Sequence, residues 1–188
     1  ALTTLLFLIA PAQAATISGK VINVADGDTT TVLDVDRTQH RIRIGGIDAP
    51  ERKQPFGDTA RQSMARMVSG KEVVADCHKV DRYGRQVCKV FAQPTDCPTC
   101  GMTLDVGHAQ ILAGMAWWYR EYAKEQPAED RVRYEAAEQD AQARKLGLWR
   151  DANPSPGIVT TGTPIQRASS VVNPPEYGNG SSAISASR

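Results

Sequence analysis

The sequence has almost no charge imbalance: 22 Lys and Arg stand against 21 Asp and Glu, a formal net charge of +1 over 188 residues. That excludes a global field that gathers polyanions, so any binding of nucleic acid must rest on a local cluster of cations. No apolar run approaches the roughly 20 residues that a membrane-spanning helix needs. The three histidines, His40, His78 and His108, stand at no ligand or triad spacing and receive no role. Cysteine is scarce, with four residues, and none sits beside the N-terminal apolar segment to carry a lipid. What is present is ordinary: 41% hydrophobic and 23% charged residues, enough for one domain with a real core.

The first residues, ALTTLLFLIAPAQA, show an apolar run from Leu2 to Ile9, a break at Pro11, and Ala12-Gln13-Ala14, which fits an export cleavage site. Residues 1–15 are therefore expected to be the remnant of a signal peptide, and the mature chain to be exported to the periplasm or the medium, away from any membrane. Past Arg150 the composition shifts to Pro, Ser, Gly, Thr and Asn, too poor in large apolar groups to order itself, so residues 151–188 are expected to be a disordered tail. The folded unit is then 16–150. An oxidising destination favours disulfides, and the most local of the three possible pairings joins Cys77 to Cys88 and Cys97 to Cys100. The rival is a zinc site built on the Cys97–Cys100 half-site.

Within the folded unit, alternation predicts strands over 17–24, 29–35 and 40–47 as a meander, followed by 72–77 and 86–91. A helix is expected from Asp58, as its cap, to Gly70, with Ala60, Met64, Met67 and Val68 at helical spacing. A second spans 104–113 with Ala109, Leu112 and Ala113 on its inner face, and Met115 to Tyr119 then runs extended. A third spans 128–146 with the stripe Val132, Ala136, Ala143 and Leu146, closed by Gly147. Five strands interrupted by a helix predict an α+β fold, mainly β: a five-stranded oligonucleotide-binding-fold barrel with about three helices.

Three segments place charge where a strand pattern would prefer apolar residues: Asp26-Gly27-Asp28-Thr29, Arg43 through Glu51, and Asp81-Arg82-Tyr83-Gly84-Arg85. Singly, each charge has an ordinary reading: Asp28 and Asp48 as turn residues, Arg43 as the outer face of a strand, Glu51 and Arg85 as solvated surface. Together they combine hard carboxylate oxygens suited to Ca²⁺ or Mg²⁺ with guanidinium forks that match phosphate oxygens. Gly45 and Gly46 allow a bend through which Arg43 and Asp48 can serve one pocket, and Pro50 stiffens the approach to Glu51.

In order and spacing, DGDT at 26–29, RIGGIDAPE at 43–51 and DRYGR at 81–85 resemble the staphylococcal nuclease (thermonuclease) family, and the likeness continues through GMAWWY at 114–119 and LGLW at 146–149. The resemblance implies an oligonucleotide-binding-fold barrel that acts as a monomeric, calcium-dependent phosphodiesterase on DNA and RNA, single-stranded or frayed, leaving 3′-phosphate ends. Carried over by motif position, Asp28, Asp48 and the carbonyl of Ala49 would hold Ca²⁺. Arg43 and Arg85 would grip the scissile phosphate, Glu51 would serve as general base, and Arg82 and Tyr83 would meet the neighbouring nucleotide. The family often has Thr where this chain has Ala49, which matters only if the hydroxyl orients a water.

Trp117 and Trp118 are expected in the core, while Tyr119 and Tyr122 are the candidates for base stacking. A catalytically silent nucleic-acid-binding barrel is the alternative function. Against it stand the three carboxylates beside a phosphate site, which only weaken anion binding unless a cation joins them.

Overall fold

A computed structural model describes residues 15–151; the expected leader and tail, apart from Ala15 and Asp151, lie outside them. Strand β1 (Ala15–Val24) turns Ile17, Gly19 and Val21 inward by simple alternation. A bulge between Val21 and Asn23 then shifts the register against β2 (Thr29–Leu33), so that Val24 is the next residue buried. β3 (Gln39–Ile44) completes the meander, a turn at Gly45-Gly46 leads into the short β4 (Ile47–Asp48), and β5 (Glu72–Val80) and β6 (Gln86–Ala92) form a hairpin.

β1 pairs with both β2 and β5, and β6 lies parallel to β3 through Ile42–Gln86, Arg43–Val87 and Ile44–Cys88. That parallel pairing closes a five-stranded barrel. Its interior is filled by Val21, Val32, Ile42, Ile44, Val73, Ala75 and Val90, all within 1% of complete burial. Two short strands add to the count: β7 (Leu104–Asp105) extends the sheet beside β6, and β8 (Trp117–Trp118) pairs with β4. The extended run expected at Met115 to Tyr119 therefore serves as the partner of the strand that carries Asp48.

Helix α1 (Gly57–Val68) buries Ala60, Ser63, Met64 and Val68. Its N-cap is Phe56, held at φ 66° with no side-chain cap, and not Asp58, which lies in the first turn. Helix α2 (Val106–Leu112) begins at a true cap, the Asp105 carboxylate accepting from the His108 N–H. Its buried face is Val106, Gly107, Gln110 and Ile111; the expected face fails, for Leu112 and Ala113 are exposed.

Helix α3 (Ala128–Ala143) likewise turns a different face inward: Asp130, Tyr134, Ala137, Glu138 and Ala141 are buried while Val132 is 69% exposed. Two acids in the inner stripe hide it from an apolar count. Each has a partner: Asp130 receives Lys89 Nζ at 2.6 Å, and Glu138 accepts from the Trp118 N–H at 3.0 Å and from Arg120 at 2.7 Å. The helix also stops sooner than expected, because Lys145 enters the left-handed region at φ 51° before Gly147 is reached.

A polar staple joins α3 to the barrel. Lys89 on β6 meets Asp130 and, at 3.5 Å, Asp105; Arg133 lies 3.4 Å from Asp130 and 3.9 Å from Asp105; the Tyr134 hydroxyl donates to Asp105 at 2.9 Å. Two acids face two cations. The disulfides are Cys77–Cys88, across β5 and β6, and Cys97–Cys100. All four sulfurs are thereby paired, which removes the zinc reading. Among the described residues no helix is long and apolar enough to cross a membrane.

Candidate active site

The 26–29 turn, the end of β3 with β4, and the loop between β5 and β6 meet at one side of the barrel. The turn is shaped by Gly27, where a Cβ would sit 2.7 Å from Ala49 Cβ and 2.8 Å from Ala60 Cβ, so a side chain there would push the turn off both β4 and α1. Gln110, fully buried on α2, donates from Nε2 to the carbonyls of Gly27 (2.8 Å) and Ala60 (3.1 Å). It ties the turn to α1 from behind. The Asp26 carboxylate accepts the Asp28 N–H at 3.0 Å, which aims Asp28 across at β3.

Asp28 and Arg43 form the centre. Arg43 Nη1 donates to Asp28 Oδ2 at 2.9 Å and to the Ile47 carbonyl at 3.4 Å, and Nη2 donates to Asp48 Oδ1 at 3.4 Å. The same Asp28 oxygen accepts the Ala49 N–H at 3.1 Å. The turn that brings Asp48 round to Arg43 needs only one of the two glycines in a left-handed conformation, Gly46 at φ 75°. Tyr119 N–H donates to the Gly46 carbonyl and fixes that turn against the β8 side.

Arg85 reaches the centre indirectly. Its Nη1 donates to Thr29 Oγ1 at 3.3 Å, and the Thr29 hydroxyl donates to Asp28 Oδ1 at 2.9 Å. Its Nε donates to Asp81 Oδ2 at 2.7 Å, while Asp81 Oδ1 accepts the backbone N–H of Tyr83 and Arg85, both at 2.9 Å. Asp81 thus shapes the loop and holds the guanidinium on it. These bonds keep the Asp81 carboxyl below its ordinary value, outweighing the opposing effect of partial burial.

The electrostatics of the centre are unbalanced. Burial, then repulsion from the Asp28 carboxylate, lifts Asp48 to about 7 in spite of Arg43. Burial and the same neighbour lift Asp26 to about 6. Glu51, exposed, contributes to both through its charge. Arg43 is partly buried, which works against its charge, yet Asp28 and Asp48 outweigh that and raise its pKa further. One oxygen of Asp48, Oδ2, is buried with no hydrogen-bond partner. An orphaned anionic oxygen beside a second buried carboxylate fits a hard divalent cation, which would satisfy the one and relieve the repulsion between both.

Among the described residues no three His, Cys, Asp or Glu side chains are gathered into a metal-holding group. A cation here would therefore take two carboxylates, a main-chain carbonyl and water.

Glu51 is positioned by its main chain. Its N–H donates to Gln54 Oε1 at 2.8 Å and its carbonyl accepts the Gln54 N–H at 2.8 Å. Gly57 leaves room for that carbonyl, with which a Cβ would clash. Pro50 is thus only one of several restraints on Glu51.

The aromatic candidates flank the arginines. Tyr83, 54% exposed, has Arg82 at 4.9 Å and Arg85 at 5.3 Å from its ring centroid. Arg43 lies 5.9 Å from the ring of Tyr119, which packs on Tyr122 with centroids 5.1 Å apart, and Lys79 covers Tyr122 at 4.3 Å. Trp117 is buried and Trp118 packs on the core, as expected. Sequence reasoning left out Asp26, Thr29 and Gln110. The first two stand in the quoted motif; the third has one signal, an amide on the face of α2 that carries Val106 and Ile111.

A family model described as Staphylococcal nuclease homologue matches residues 41–151. A micrococcal nuclease of Shigella flexneri is 41% identical over 136 residues, 72% of this chain and 75% of that one. An uncharacterized endonuclease of Escherichia coli O157:H7 is 39% identical over 146 residues, 78% of this chain and 86% of its own. Protein ParB of Escherichia coli is 37% identical over 137 residues, 73% and 75% of the two chains.

Proposed function

The chain belongs to the staphylococcal nuclease family, and from that premise we propose that it is an exported, calcium-dependent nuclease cleaving DNA and RNA with little sequence specificity. It is a nuclease, a hydrolase of phosphodiester bonds. The observation that carries the finer reading is the arrangement around Asp28: two buried carboxylates share Arg43, and a second arginine reaches the same carboxylate through one hydroxyl.

Asp28, Asp48 and the Ala49 carbonyl would hold Ca²⁺, which when bound supplies positive charge to the phosphoryl oxygens and to the attacking water. Arg43 uses three of its five N–H directions on Asp28, Asp48 and Ile47, so two remain to grip a phosphate. Arg85 adds a second guanidinium held on the rigid 81–85 loop. Both neutralise the charge that grows on the equatorial oxygens. Glu51 takes a proton from water as its oxygen bonds to phosphorus; the bond to the 5′ oxygen breaks, that oxygen is protonated by solvent, and a 3′-phosphate end remains.

Tyr83 with Arg82, and Tyr119 with Tyr122, offer faces on which single-stranded or frayed bases stack, and the site needs only one copy of the chain. Export is supported by the apolar segment ahead of Ala12-Gln13-Ala14 and by two disulfides, bonds characteristic of oxidising compartments.

The test is hydrolysis of a single-stranded oligonucleotide with and without Ca²⁺, followed by end-group analysis. Wild type should be silent in excess chelator. Glu51→Gln should lose roughly a hundredfold to a thousandfold in kcat while still binding the oligonucleotide; unchanged turnover would remove Glu51 from the chemistry.

A further inference from the structure

A second basic surface adjoins the site and takes no part in the steps above. A cavity of about 570 Å³ is lined by Asn23 at the end of β1, Asp26, Glu51, Arg52 and Lys53 on the loop before α1, and Arg61 on α1, among others. Its size falls within the roughly 300–1,000 Å³ usual for small-ligand sites. It shares Asp26 and Glu51 with the site, yet Arg43, Tyr83, Arg85 and Tyr119 do not line it.

Three cations here face two acids, an excess of one positive charge, and one of the acids, Asp26, already accepts the Asp28 N–H. No ion pair or hydrogen bond among the described residues engages the side chains of Arg52, Lys53 or Arg61. Arg61 goes further, because its Nε is buried without an acceptor. A guanidinium with no carboxylate partner is left to bind an anionic oxygen, and two more cations at the rim add the charge to hold it.

We propose that this cavity is a second phosphate subsite, which takes a phosphodiester group of a nucleotide flanking the bond that is cleaved. The inference rests on the nuclease reading of the adjoining site. Its location past Glu51 means that a polynucleotide engaging both places lies across the acids, with one phosphate on Arg43 and Arg85 and another on Arg52, Lys53 and Arg61. Substrates with a single phosphodiester fill only the first.

The experiment compares a dinucleoside monophosphate with a decathymidylate bearing hydroxyl ends, in saturating Ca²⁺. The variants are Arg52→Gln/Lys53→Gln and the triple variant that adds Arg61→Met. The triple variant should lose about tenfold or more in kcat/KM on the decamer, and several times less on the dinucleotide. The dependence of log kcat/KM on log salt for the decamer should flatten by about 0.7 for each phosphate contact removed. The double variant changes only exposed positions, so its smaller loss on the decamer should appear without a change in Tm.

Equal losses on both substrates, or an undiminished rate on the decamer, would overturn the subsite. If wild type cleaves neither substrate, the nuclease reading fails on its own. The cavity is then judged by decamer binding in fluorescence anisotropy, where a severalfold weakening in the triple variant supports it and unchanged affinity rejects it.

Discussion

Two of the ionic clusters among the described residues are built to opposite ends. In the staple between α3 and the barrel, Asp105 and Asp130 face Lys89 and Arg133, and even the Asp105 oxygen without a hydrogen bond lies 3.5 Å from Lys89 Nζ. In the site, Asp28 and Asp48 share Arg43, Asp26 and Glu51 add their charge to that of Asp48, and Arg85 is already claimed by Asp81. The first cluster is neutral and closed. The second carries surplus negative charge and an unsatisfied oxygen, so it works against the folded state until something cationic arrives. A balanced cluster is a fastening, and one with surplus acid is suited to a cation.

That contrast can be broken by reversing it. Lys89→Met leaves two buried acids to share the one remaining cation, Arg133, and should lower stability by about 3 kcal/mol in urea unfolding. If the loss is below about 1 kcal/mol, the staple does not fasten α3. At the site the largest effect should come from loading it: Ca²⁺ at a hundred times its Kd should stabilise wild type by about 2.7 kcal/mol, raising Tm, and Asp48→Asn should abolish the shift. A Tm indifferent to Ca²⁺ would deny the cation its place. Gln110→Met removes the donor to Gly27 and Ala60 and leaves both carbonyls buried, which should cost about 1–3 kcal/mol and slow hydrolysis by loosening the turn.

The smallest effect concerns pH without metal. Asp48, ordinarily near 3.8, stands near 7 in the folded chain, and Asp26 stands near 6. The folded state therefore holds protons that the unfolded chain has released, so stability should fall as pH rises from about 4 to 7. Asp48→Asn should flatten that decline and leave the metal-free protein about 1 kcal/mol more stable at neutral pH. A steeper decline in the variant would contradict the repulsion ascribed to the site.

The barrel was legible because its strands alternate simply, and the centre was legible because Asp28, Arg43, Asp48 and Arg85 stand in compact motifs. Reading failed where burial and polarity coincide. Helix α3 hides Asp130 and Glu138 on its inner face, so the apolar stripe visible in the sequence falls mostly on exposed residues. Gln110 escaped for the same reason. Its amide looks like surface in a list of residues, although it spans two backbone carbonyls in the interior. The fixing of Glu51 by Gln54 and Gly57 depends on contacts across a loop that no periodicity encodes.

The parallel seam of the barrel has one further consequence. Arg43 lies in register with Val87, two residues after Arg85, so the step that seals the cylinder is also the step that sets the two guanidinium groups side by side. On the assignment proposed, an unsealed chain has its arginines on separate ribbons and cannot cut. Competence to cleave would then depend on that seam, and a molecule without it would be harmless to the cell that makes it.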